Sequence, residues 1–113
     1  MPGIRHRTSG AIEQIEGTLN VALGVRRKAT YATGSVTLQP GDAAFVVSDG
    51  VEEATNSAGE FYTLDRLQGV LRGTGKASAA ALVRMVTDSV RDFAGSAPKA
   101  DDVTALAIRW SPP

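Results

Sequence analysis

Apolar positions along the chain fall into two textures, sheet-like in the first half and helical in the second. From Gly10 to Leu38 short β-prone pieces alternate with glycines: "AIEQIEG" spaces Ile12 from Ile15, "LNVALGV" is apolar, and "GSVTLQPGD" ends in a turn. These pieces predict strands of an antiparallel meander. Pro40 and Gly41 suit the second and third positions of a tight turn, where proline presets φ and glycine accepts a positive one. A strand should then begin near Ala43. "AAFVVS" is a continuous apolar run, which predicts a central strand covered on both faces, because a strand with one face in water would alternate.

Beyond this strand the period changes to that of a helix. In "TLDRLQGVLRG", Leu64, Leu67 and Leu71 share one face, with Thr63 as N-cap and Gly73 as stop. In "SAAALVRMVTDSVRDFAG", Ala79, Leu82, Val83, Val86, Val90 and Phe93 recur at helical spacing between a Ser78 cap and a Gly95 stop, with Arg84 and Asp88 on the polar side. "DDVTALAIRW" alternates Leu106, Ile108 and Trp110 with Val103, Ala105 and Ala107, and reads as a second buried strand. The pattern contains no internal repeat, and the loop "GSAPKA" is the one linker-like stretch.

Composition narrows the function classes. The 113 residues suffice for one domain with its own core. Twelve basic residues balance twelve acidic ones, which argues against nucleic-acid or membrane partners. With no cysteine there is no disulfide framework or thiolate metal site. "MPGIRHRTSG" is basic but is followed by no apolar stretch, and no run approaches the ~18 apolar residues of a membrane span, so a cytoplasmic location is expected. His6 lies in this basic segment, which reads as mobile and offers the histidine no partner for nucleophilic chemistry.

The candidate chemistry lies at two acidic corners. "AAFVVSDGVEEA" puts Asp49 at the C-terminal end of one apolar strand, and Asp101 with Asp102 stands at the start of another. If the strands are antiparallel neighbours, these carboxylates meet at one edge of the sheet; if parallel, they lie at opposite ends. Converging carboxylates repel, and a hard divalent cation with oxygen ligands, magnesium or manganese, is the usual means of keeping them ionised. Each corner alone also reads as ordinary structure: Asp-Gly is a hairpin signal, and Glu52 and Glu53 suit the first turn of a short helix.

In order, "LQPGDAAFVVSDGVEEATNSAGEFYTLDRL", a long helix ending in "FAG", and "ADDVTALAIR" resemble the C-terminal half of the bacterial metal-dependent serine/threonine phosphatases. The resemblance is to the type 2C superfamily, in its sporulation stage II and sigma-factor-regulation branch, and covers Gly10 to Trp110; "LNVALGV" matches a further family segment. It implies an α+β fold, an antiparallel sheet with two helices on one face, as part of an αββα sandwich. It also implies that Asp49, from the family's "(S/T)DG" motif, and Asp101, from "DDxT", are metal ligands, with Gly50 and Asp102 in support; Glu53 and Ala54 match a family pattern of undefined role. The implied cofactor is a pair of Mn2+ or Mg2+ ions about 3.5–4 Å apart that activate a water for attack on phosphorus, without a side-chain nucleophile. The implied substrate is a phosphorylated anti-sigma antagonist.

The chain departs from that family at its N-terminal half, which supplies a further aspartate and an adjacent glycine to the metal centre. Before Asp42 the only acidic residues are Glu13 and Glu16, in a surface hairpin, and "MPGI" is the remnant of an upstream segment. Residues 1–9 are thus expected to be an N-terminal remnant or mobile segment, and 10–111 the C-terminal part of the phosphatase-like domain. Three readings follow. The chain is one half of a phosphatase, active with its other half; or a noncatalytic module that binds a partner or its own copy; or a unit of which two copies rebuild a metal site. A half-sandwich exposes an apolar face, so a homo-oligomer is expected.

Overall fold

The computed structural model describes residues 3–15, 27–28, 35–98 and 102–111. Four strands, β1 (Gly3–His6), β2 (Ile12–Ile15), β3 (Ala43–Val47) and β4 (Ala105–Arg109), form one antiparallel sheet in the order β2-β1-β3-β4. Three helices, α1 (Asp49–Glu52), α2 (Thr63–Leu71) and α3 (Ala79–Ala94), lie between β3 and β4 in the chain. This is the α+β arrangement expected. Among the described residues no helix is long and apolar enough to cross a membrane.

The register decides which side chains meet. Ile4 pairs with Phe45 and Phe45 with Ala107, while His6 pairs with Ala43 and Ala43 with Arg109, so these residues share the face turned toward the helices. Ile4, Ala43, Phe45 and Val47 of that face form the core together with Val51, Tyr62, Leu67, Leu71, Leu82, Val86 and Val90. Burying each large apolar side chain contributes about 1.5–3 kcal/mol, so this single layer of contacts holds helices to sheet. The opposite face carries Arg5, Ala44, Val46, Leu106 and Ile108.

That opposite face corrects two expectations. Among the described residues β3 is covered fully on one face alone: Ala43, Phe45 and Val47 are buried, while Ala44 and Val46 are half-buried. β4 is likewise not a buried strand, since Leu106 and Ile108 are 54% and 55% exposed and Trp110 is exposed beside them. The apolar run predicts cover on both faces, but among the described residues only one face has a layer packed on it.

The start of the chain also differs from expectation. Gly3–His6 is not a mobile remnant but a strand paired on both sides, and Ile4 and His6 are fully buried. The meander therefore begins before Gly10, with β1 and β2 joined by a turn in which the Gly10 amide bonds the Arg7 carbonyl. Of its other pieces, "LNVALGV" and Glu16 lie outside the described residues, while "GSVTLQPGD" is described from Ser35 and forms no strand, only the extended approach to the turn. The turn at Pro40 and Gly41 forms as expected: the Asp42 amide bonds the Gln39 carbonyl and Gly41 takes φ 89°.

Helix α3 follows its pattern, with Leu82, Val86 and Val90 buried and the Ser78 hydroxyl accepting the Ala81 amide at 3.1 Å. Its Asp88 pairs with Arg91, not Arg84. In α2, Leu67 and Leu71 are buried as expected, but Thr63 is not the N-cap: Tyr62 holds that position, and Thr63 opens the helix at φ 71°. Tertiary contacts of Tyr62 fix this entry. Its amide bonds the Ala54 carbonyl, its ring meets Phe93 edge-on at 5.4 Å, and its hydroxyl lies 2.7 Å from Ser89 Oγ.

Candidate functional site

The antiparallel alternative holds. Val47, the last residue of β3, is the register partner of Ala105, the first of β4, so the end of one strand lies beside the start of the other. Ser48 then ties the two corners together. Its amide donates to the Thr104 carbonyl, its Oγ accepts the Thr104 amide at 2.9 Å, and the same hydroxyl donates to the Asp102 carbonyl at 3.3 Å. A serine preceding a helix ordinarily caps that helix; Ser48 precedes α1 without making a side-chain cap bond, because its hydroxyl is committed across the sheet to residues 102 and 104.

Asp49 follows directly as the first residue of α1, exposed, where the helix N-terminus favours its negative charge. Gly50 is buried beneath it, and Val51 anchors the short helix in the core. Asp102 is exposed on the adjoining loop, its carbonyl held by Ser48. Asp101 lies outside the described residues. Glu52 falls in the first turn of α1 as expected, and Glu53 closes the helix as C-cap, its amide bonding the Asp49 carbonyl.

These donors suit a hard divalent cation in kind, being carboxylate and carbonyl oxygens. In number they fall short, since among the described residues no group of three or more His, Asp or Glu side chains could hold a metal ion. Beside the corner, Gly50 and Val103 form one wall of a cavity of about 440 Å³ that continues over Val90, Ala94 and Thr87, with Arg91 in its lining.

Sequence reasoning missed a second polar cluster at the other end of the sheet. His6 is buried, with Nε2 2.9 Å from Thr74 Oγ1 and 3.2 Å from the Leu71 carbonyl, and Nδ1 3.1 Å from Arg109 Nη2. Asp42, also buried, accepts the Gln39 amide at 2.9 Å and faces Arg7 Nη1 at 3.5 Å. Burial, and then the Arg109 guanidinium, hold the pKa of His6 below its ordinary 6.5, against the opposing pull of the Leu71 carbonyl and Asp42. The alternation of Ile4 and His6 in "GIRH" was the available signal, because it places the histidine on the apolar face of a strand.

Solved structures with the same architecture define the class. The PP2C domain of SiaA from Pseudomonas aeruginosa superposes with a TM-score of 0.73 at 19% identity, over 97% of this chain and 43% of that one. The phosphatase domain of the cell-fate determinant SpoIIE from Bacillus subtilis, presoaked with Mn, superposes with a TM-score of 0.61 at 16% identity, over 98% of this chain and 47% of that one. The fold is therefore that of the C-terminal portion of a bacterial type 2C phosphatase domain, and the chain spans less than half of these relatives. No curated protein matches the sequence significantly. The profile of the Stage II sporulation protein E (SpoIIE) family matches residues 1–111, and the chain belongs to that family.

Proposed function

We propose that this chain is the C-terminal portion of a metal-dependent phosphoserine/phosphothreonine protein phosphatase and contributes Asp49 and Asp101 to its metal centre. Gly50, buried in α1 directly after Asp49, supports its position, and Asp102 supports the loop. The observation that carries the reading is the Ser48 clasp, which joins the strand end bearing Asp49 to the loop that follows Asp101. Bound Mn2+ or Mg2+ would supply an activated water for hydrolysis of a phosphate ester. The remaining ligands belong to the other part of such a domain. A phosphorylated anti-sigma antagonist in cytoplasmic stress or sigma-factor signalling is the substrate proposed. Family membership supports this reading.

The test is a Mn2+ titration of the isotope-labelled chain followed by paramagnetic line broadening. The amides of Gly50, Asp102, Val103 and Thr104 are expected to broaden first, and to be spared at the same Mn2+ concentration in Asp49→Ala and in Asp101→Ala. Equal broadening in wild type and both variants would refute the assignment. A second reading, a noncatalytic module that associates with its own copy, is favoured by the exposed face of Leu106, Ile108 and Trp110.

A further inference from the structure

The cluster around His6 does nothing for the acidic corner, which lies at the opposite end of β3, yet it links three parts of the chain that are distant in sequence. Arg109 reaches from β4 across the small side chain of Ala43, donates to Nδ1 of His6, and also donates to the Gly41 carbonyl. Guanidinium is a donor only, so Nδ1 must be the accepting nitrogen and Nε2 carries the proton. The Thr74 hydroxyl donates to the Leu71 carbonyl at 2.6 Å, which leaves its lone pairs to accept from Nε2. One tautomer of the neutral ring thus satisfies β4 on one side and the connection between α2 and α3 on the other.

We propose that His6 is a proton-sensitive latch whose neutral form alone closes the α2–α3 connection and β4 onto β1. A proton at Nδ1 removes the acceptor for Arg109 and sets two cations against each other at a buried position. Among the described residues the charged groups facing the ring are Arg109 from β4 and Asp42 from the turn before β3, and Asp42 is already engaged by Arg7 and the Gln39 amide. From the α2–α3 connection the ring meets only a carbonyl and a hydroxyl, while Arg72 and Lys76 of that segment are exposed. The same connection packs closely on the β1–β2 turn: a Cβ at Gly75 would stand 2.0 Å from the Thr8 carbonyl oxygen. A disturbance at His6 is therefore felt across that contact.

The sign follows from linkage. With the folded-state pKa below the unfolded value of about 6.5, the unfolded chain takes up the proton first, so the stabilisation is complete above about pH 6.5 and is lost as pH falls through the folded-state value. Between the two values each unit fall in pH raises the unfolding constant by up to about tenfold.

The chain has one histidine, so its imidazole Cε1 proton can be followed by NMR without assignment ambiguity. The expected result is a midpoint below 6.5, accompanied by a fall in the amide protection factors, corrected for the intrinsic pH dependence of exchange, at Thr74 and Ala77 as the ring is protonated. Urea unfolding at pH 7.5 and 5.5 should show a fall in midpoint for wild type that is smaller in His6→Gln. A histidine midpoint at or above 6.5, or protection factors in the connection that do not follow the ring, overturns the latch. The NMR titration stands on wild type alone if His6→Gln fails to fold.

Discussion

Replacing Ser48 with alanine isolates the clasp on which the acidic corner depends. Two bonds disappear, the acceptance of the Thr104 amide at 2.9 Å and the donation to the Asp102 carbonyl at 3.3 Å, while the backbone bond from the Ser48 amide to the Thr104 carbonyl remains. A net contribution of roughly 0.5–1.5 kcal/mol applies to each bond, and these are solvent-accessible, so the lower part of the range gives a loss of about 1–2 kcal/mol. No helix-cap cost adds to this, because Ser48 makes no side-chain cap bond to α1. For a domain near 100 residues that corresponds to a fall in Tm of about 4–10 °C. The assay is urea unfolding together with amide exchange at Thr104, in Ser48→Ala and in Ser48→Thr. Ser48 sits at φ −76° and ψ 162°, extended backbone that threonine accepts, so Ser48→Thr should restore both stability and Thr104 protection. A change in Ser48→Ala within the ~0.5 kcal/mol typical of plain surface substitutions, with Thr104 protection unaltered, would refute the clasp.

Gly75→Ala should destabilise severely, since the added Cβ would lie 2.0 Å from the Thr8 carbonyl oxygen and 3.1 Å from the Gly10 amide nitrogen, both backbone atoms; a thermal melt equal to wild type would contradict the close packing of the two turns. The exposed apolar face should drive self-association at high concentration, and Leu106→Lys with Ile108→Lys should reduce it. Light scattering that finds a sharp monomer for wild type at high concentration would count against that.

Local signals in the sequence carried much of this structure. The turn at Pro40 and Gly41, the Ser78 cap and apolar face of α3, and a strand that delivers Asp49 at its end all depend on residues within a few positions of one another, where propensity and periodicity act. The N-terminal strand was legible in principle from Ile4 and His6, but a four-residue element between a basic start and a turn offers too short a period to distinguish from a loop. Thr63 had the chemistry of a cap and lost the position because Tyr62 is pinned by Phe93, Ser89 and the Ala54 carbonyl, none of them sequence neighbours.

The sequence by itself determined that Asp49 follows the end of an apolar strand, and the motif order that marks the family. Only the tertiary structure decided that β3 and β4 run antiparallel in the register Val47 to Ala105, that Ser48 bridges to residues 102 and 104, that Leu106 and Ile108 face outward, and that His6 is buried against Arg109. The physical reason is range. An apolar strand specifies that it will be buried but not by what, because its partners and the side that receives the helices are fixed by contacts between residues far apart in sequence, as at Val47 with Ala105 and His6 with Arg109.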